Sequence, residues 1–435
     1  MTAENVGIGA LTALITLILL RVPIGMALIF CGLLGIALLQ GVMPALVQFQ
    51  LVLWEMTGDF VLLTLPLFIW MGQLAKHAGL GEDIARCVSA WMGRVPGGLA
   101  VTSVLSSAGF GTLTGSSVAT VMTVGSMLLP EMSRYRYQSG LATGSIAAGG
   151  VLAILIPPSL PLVFYGAWTE TSIGALFLAG LIPGGLLTLM FAFSILLRCW
   201  RKPDLGPGGA RVSWRGKARS LTQLLPTLTV LIIVLGVLYA GLATPTEAAA
   251  VGVAGIMLVS GLRGRLTLSG LKIGLTESAS MTANVLLLLL GGLVFSRFLA
   301  QTGLTQKWVE LISSSFSSPQ SILIALVFFY LLLGAFLDTF GMILLTLPFV
   351  FPLVTSLGYD PVWLGVFLVL MIELSLMTPP IGMNVLVLKQ LVPDMPLMRV
   401  YRGVAPFVLL TLLLALLLIF FPSLALWLPA KGASG

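Results

Sequence analysis

A chain of 435 residues that is 58% hydrophobic and only 9% charged is excluded from the soluble class, where about a quarter of residues carry charge. Its many apolar runs near the ~20 residues that cross a bilayer make it an all-α polytopic membrane protein, and its net charge of +7 belongs to membrane topology rather than to a nucleic-acid partner. One histidine (His77) and three scattered cysteines (Cys31, Cys87 and Cys199) supply neither a metal cluster nor a disulfide framework, and no G-x-x-x-x-G-K-[ST] loop couples the chain to nucleotide hydrolysis.

The first run, Val6 to Leu20, follows no basic n-region and passes through Arg21-Val-Pro into a second span. It is expected to be a retained helix rather than a cleaved signal peptide, and residues 1–58 to form N-terminal scaffold helices. Residues 59–197 make a first repeat. Within it Val95 to Pro130 is long and apolar but centred on "GFGTLTGSS" (Gly109–Ser117), so a re-entrant hairpin is expected over about 95–130. The next segment, about 140–166, contains "AILIPPSLPLVFYG" (Ala153–Gly166). Prolines remove backbone donors and clash with the preceding turn, so this helix is broken at membrane depth. Such a break is tolerated only where protein or a watery cavity covers it.

A span from about Gly174 to Leu197 leads into the most basic loop, Arg198 to Arg219, with seven Lys or Arg against the single acid Asp204. Residues 198–278 hold this loop and further scaffold spans, Leu221 to Ala240 and Ala249 to Leu262, turning at "ATPTEAAA" (Ala243–Ala250). After a helix from about Ser280 to Leu299, residues 279–428 make a second repeat. Its hairpin, about 320–352, is centred on "GAFLDTFG" (Gly334–Gly341), and its broken helix, about 361–389, carries "SLMTPPIGMN" (Ser375–Asn384).

Pro130, Tyr137, Pro157 and Pro158 recur at Pro352, Tyr359, Pro379 and Pro380, each 222 residues later, and "LAKHAGL" (Leu74–Leu80) meets "FLAQTGL" (Phe298–Leu304) at nearly that offset. Placing the Arg198–Arg219 loop in the cytoplasm by the positive-inside rule puts both termini outside. It also gives the two halves opposite orientations. Paired broken helices in inverted repeats mark secondary transporters, with binding sites at the breaks near the midplane.

Unwound backbone offers carbonyl oxygens to sodium without burying carboxylates. In the first half the ion candidates are Gly115, Ser116, Pro157 and Pro158, and in the second Gly334, Asp338, Thr378, Pro379 and Gly382. Ser116, Ser117, Ser159, Asp338 and Thr339 are the candidates for substrate contact. Each has a plainer reading. The prolines can be ordinary kinks, Ser116 and Ser117 helix-packing glue, and Asp338 a hydrogen bond across its hairpin, although an ionisable group in a deeply apolar stretch points to function. Glu373 reads as structural or coupling. Glu247 and Glu55 read as helix caps or borders, Arg297 as a snorkelling side chain, and Trp168 and Trp308 as interface anchors.

Taken together, "LTLPLFIWMGQLAKHAGL" (Leu63–Leu80), "GSSVATVMTVGSMLLPEM" (Gly115–Met132), "ILIPPSLPLVFYG" (Ile154–Gly166), "TPTEAAAVGV" (Thr244–Val253), "LDTFGMILLTLPFVFPLV" (Leu337–Val354) and "ELSLMTPPIGMNV" (Glu373–Val385) resemble the large membrane subunit of tripartite ATP-independent periplasmic (TRAP) transporters. The resemblance implies an elevator-type transporter of the bacterial inner membrane, driven by two or more sodium ions and using no organic cofactor. It implies an organic-acid substrate handed over by a periplasmic binding protein, and a separate small four-helix membrane subunit as partner within the lipid bilayer. The family often carries a Ser/Thr-rich run before its first Pro-Pro; here the chain reads "GSIAAGGVLAILIPP" (Gly144–Pro158), with Ala147 and Ala148 where hydroxyls would stand. Other readings remain: a second transporter reading, a stand-alone sodium/dicarboxylate or citrate-type symporter; an intramembrane enzyme, which would want paired acids, a metal cluster or a nucleophile–base pair; and a channel, against which the inverted hairpins argue for alternating access.

Overall fold

Glycines, prolines and small polar caps decide where the helices stop. A computed structural model describes residues 2–209 and 211–432, and every element it contains among them is helical. Helices α1 (Ala3–Leu19), α2 (Ile24–Gln40) and α3 (Val42–Gly58) come first, then α4 (Thr64–His77) and α5 (Leu80–Met92). The first hairpin is α6 (Gly98–Thr114) and α7 (Ser117–Arg134), followed by the broken pair α8 (Ser139–Leu155) and α9 (Leu160–Thr169), and by α10 (Ile173–Arg201). Helices α11 (Trp214–Tyr239), α12 (Pro245–Leu262) and the 35-residue α13 (Leu268–Thr302) lead to α14 (Leu304–Ser315). The second hairpin is α15 (Pro319–Leu333) and α16 (Thr339–Ser356), and the second broken pair α17 (Pro361–Met377) and α18 (Met383–Leu391). Helices α19 (Leu397–Phe420) and α20 (Ser423–Gly432) complete the chain.

The repeat read from the prolines extends to the caps. Ser116 caps α7 by accepting from Ala119 N–H at 3.4 Å, and Asp338 caps α16 by accepting from Gly341 N–H at 3.1 Å; both positions are 222 apart. The turns after α4 and α13 use Gly79 and Gly303, with φ of +69° and +70°, a region open to glycine without a Cβ clash. Helix α12 starts with a full capping box, Thr244 with Glu247, the role expected of Glu247.

The first arm of each hairpin is too short to cross. Helix α6 has 17 residues and α15 has 15, or ~22–26 Å at the α-helical rise against a core of about 30 Å, whereas α16 is long and apolar enough to span. Helices α5 and α14 are amphipathic arms leading into them, and α14 turns through 115° into α15. Eight stretches among the described residues are long and apolar enough to span, one of them α8 and α9 taken through their break.

Burial sorts the helices by neighbour. Helices α1 to α3 show apolar side chains outward, with Leu19, Met43 and Trp54 at least 70% exposed. Helix α8 from Leu141 and α17 from Trp363 are buried throughout, as expected of helices apolar all round. Around them α6, α7, α10, α18 and α19 form a bundle, while α13 packs along α2 and α4. Helices α8 and α19 cross with their backbones touching. A Cβ on Gly144 would collide with the Gly403 carbonyl, and one on Gly403 with Gly140. Small residues four apart permit such close packing in membranes. A Gly403→Leu variant is therefore expected to lose about 3 kcal/mol or more, because backbone cannot give way as a side chain can. Size-exclusion chromatography in detergent should show loss of the monodisperse species; an unchanged profile would refute the crossing.

Candidate functional site

The two hairpin tips meet in the interior. Gly115 turns the first tip with φ +56°. A Cβ there would lie 3.0 Å from the Leu160 nitrogen and 3.4 Å from the Pro158 carbonyl oxygen, so the tip is seated on the first helix break. Thr114 and Thr120 hydroxyls, 3.1 Å apart, tie the tip from within. At the second tip Gly334 packs on Ser375 of α17. Phe164 of α9 meets Phe340 of α16 edge-on at 5.3 Å, joining one repeat's broken helix to the other's hairpin.

Between the tips lies a cavity of about 410 Å³. Its polar lining is Ser116 and Ser117 from the first tip, Asp338 and Thr339 from the second, and Asn284 from α13. The rest is Gly115 and apolar side chains such as Leu160, Phe340, Leu376 and Met281. Among the described residues no Lys, Arg or His lines it. An anion entering it would therefore meet the N-terminal ends of α7 and α16, whose free N–H groups favour negative charge, and any cation bound beside them. A larger groove of about 600 Å³ between α1 and α14–α16 has only the Thr12 and Thr346 hydroxyls besides apolar or aromatic side chains. It lacks the convergent polar groups of a binding site.

Gly115, Ser116, Ser117, Asp338 and Thr339 thus come together from residues more than 200 apart in sequence. The other candidates stand behind this lining. Pro157, Pro158 and Ser159 are buried, and the Ser159 hydroxyl caps α9 by accepting from Leu162 N–H at 3.4 Å. The Thr378 hydroxyl donates to the Ser375 carbonyl at 3.0 Å. Pro379 is exposed, and Gly382 has φ +55°. The carbonyls of Pro380 and Ile381 are not free, since the Tyr401 hydroxyl donates to them at 3.0 and 2.7 Å. The two breaks therefore differ: the first is closed under its hairpin tip, the second is open and held by a tyrosine. Ala147 and Ala148 are fully buried in α8 and lie off the cavity, so the missing hydroxyls do not alter its lining.

Sequence reasoning missed Asn284. Its only signal was a small polar stretch, "SASMTAN" (Ser278–Asn284), in an otherwise apolar span. Arg297 and Glu55, read separately from sequence, pair with each other across α13 and α3. His77 pairs with Glu277 at 3.3 Å. Asp83, 3% exposed, is clasped by Arg263 and Arg265 at 2.7 Å each, which pins α5 to the turn after α12.

The family profile described as the DctM component of the tripartite ATP-independent periplasmic transporter matches residues 11–424. The chain belongs to this family. Its relatives include a C4-dicarboxylate TRAP transporter large permease of Pseudomonas aeruginosa, 34% identical over 87% of this chain and 88% of that one. A sialic acid TRAP large permease of Vibrio cholerae is 31% identical over 97% and 98%, and an ectoine/5-hydroxyectoine TRAP large permease of Ruegeria pomeroyi 30% identical over 95% and 96%. Among solved structures, the YdaH transporter of Alcanivorax borkumensis, reported to have an unusual topology, shares the fold with a TM-score of 0.61 at 14% identity, covering 86% of this chain and 88% of that one. The permease is thus a polytopic membrane subunit of a bacterial TRAP transporter, and its relatives are transporter subunits rather than enzymes.

Proposed function

We propose that the permease carries out sodium-coupled uptake of an organic acid by elevator-type alternating access. A periplasmic binding protein delivers the substrate, and a small four-helix membrane subunit stands beside the permease in the bacterial inner membrane. The observation that supports this most is the cavity where both hairpin tips face α13. The hairpins pack on the buried helices α8 and α17, whereas α13 packs most with α2 and α4, so a bundle sliding past α13 would carry the tip side of the cavity with it. The Ser116, Asp338 and Thr339 oxygens and the carbonyls of the tips form an oxygen-only donor set, which suits a hard cation. Dicarboxylate, sialic acid and ectoine, named for the relatives, all carry carboxylates. With no basic side chain in the lining, sodium bound at the tips supplies the attraction for such a group. A stand-alone symporter is disfavoured by the full-length match to large permeases.

The test is uptake in liposomes holding the permease with its two partners. An inward sodium gradient should drive accumulation in the absence of ATP, and equal uptake with potassium in place of sodium would sink the proposal. Orientation is tested separately. Gly206 in the basic loop is buried against Tyr137 and makes a poor probe site, whereas Asp204 and Leu242 are exposed. A cysteine at Asp204 should be labelled only from the cytoplasm and one at Leu242 only from the periplasm; the reverse pattern would overturn the outward termini.

A further inference from the structure

Glu373, on α17, is wholly buried, and neither of its carboxylate oxygens has a hydrogen-bond partner. The polar groups that face it are Ser117 of α7 and Asn384 of α18, both buried. Asn384 Nδ2 donates to Ser117 Oγ at 2.6 Å, while Asn384 Oδ1 is left without a partner. Gly150 of α8 keeps the spot open: a Cβ there would stand 2.7 Å from Ser117 Oγ and 2.9 Å from Asn384 Nδ2. Oxygens from both repeats therefore share one buried place behind the first hairpin tip.

Among the described residues no charged side chain is paired with this carboxylate. Helix α8 has no ionisable group. Tyr165 of α9 donates to the Pro361 carbonyl, Tyr330 of α15 bonds Thr346, Asp338 caps α16, and Tyr401 of α19 holds the second break. Lys389 of α18 donates to the carbonyls of Pro393 and Met395. Arg198, Arg201, Arg399 and Arg402, on other helices packed against α17, are not among the groups that act on Glu373, and Lys431 of α20 lies over the Trp427 ring at 4.1 Å. A lone carboxylate in an apolar interior persists only with a counter-charge or in its neutral form.

We propose that Glu373 and Asn384, with Ser117 at the back of the first hairpin tip, form a cation site holding one exchangeable monovalent cation, sodium or a proton. One carboxylate balances one positive charge. For sodium, the site offers carboxylate, amide and hydroxyl oxygens. For a proton, three hydrogen bonds close into a ring: Ser117 O–H to one Glu373 oxygen, Glu373 O–H to Asn384 Oδ1, and Asn384 N–H to Ser117 Oγ. Either occupant joins α7 of the first repeat to α17 and α18 of the second. Only its part in coupling rests on the transport reading above.

The test uses the purified permease in nanodiscs and compares it with Glu373→Gln, which is close to isosteric and can both donate and accept within the ring. Equilibrium binding of radioactive sodium and the infrared carbonyl band of protonated carboxyl groups are the two readouts. If the occupant is sodium, the parent binds one more equivalent than the variant. If it is a proton, sodium equivalents are equal and the parent shows a carboxylic-acid band that titrates with pH and is missing from the variant. Asn384→Ala, which keeps the carboxylate but removes Oδ1, should weaken the same cation about fivefold or more and guards against misfolding of the first variant. Equal sodium equivalents with no titrating band lost overturns the proposal. Neither readout needs uptake, so failure of transport in liposomes would sink the proposed function and leave this result standing.

Discussion

Replacing Asp338 with asparagine is expected to raise the sodium concentration for half-maximal uptake by about 5- to 150-fold while leaving the protein folded. Asp338 does two things at once. Its Oδ1 accepts the Gly341 N–H at the start of α16, and the side chain lines the cavity between the tips. Asparagine caps helices as well as aspartate does, so the structural part survives, and only the ionisable oxygen facing the cavity is changed. Loss of one good ligand at the scale of an unmet polar contact is ~1–3 kcal/mol, which is the fold-change given above. Asp338→Ala removes both roles and should add a stability loss of about 1 kcal/mol, seen as a lower melting temperature in detergent. If Asp338→Asn instead leaves the sodium requirement unchanged, Asp338 is a cap and nothing more.

Sealing the first helix break should harm coupling more than sealing the second. With alanine at Pro157 and Pro158, α8 can run on into α9 and withdraw the Pro158 carbonyl from beneath Gly115, 3.4 Å from where a Cβ there would stand. That tip is buried on the break, so its Ser116 and Ser117 must shift with it. At Pro379 and Pro380 the backbone is exposed and two of its carbonyls are already engaged by Tyr401, so fewer oxygens are available there to lose. A tenfold or greater rise in the sodium requirement, about 1.4 kcal/mol or more, is expected for the first pair and a smaller one for the second. Sodium titration of uptake on variants that remain monodisperse decides the matter. Unchanged requirements in both pairs would reduce the breaks to kinks.

These expectations rest unevenly on sequence and on fold. The sequence by itself determined the class, the hairpins, the broken helices and the repeat. Those features are local: proline has no N–H to give, glycine alone turns freely at positive φ, and a bilayer demands long apolar runs. It also marked Gly115, Ser116, Ser117, Asp338 and Thr339, because polar residues inside apolar stretches stand out wherever the chain later goes. Tertiary structure decided what those residues meet. Tyr401 holding the second break, Asn284 facing the tips from α13, Arg297 finding Glu55, and Glu373 left with Ser117 and Asn384 are contacts between separate helices. No pattern within one helix encodes them, because packing of separate helices, rather than the spacing of residues along any one of them, sets which polar atoms are left facing each other.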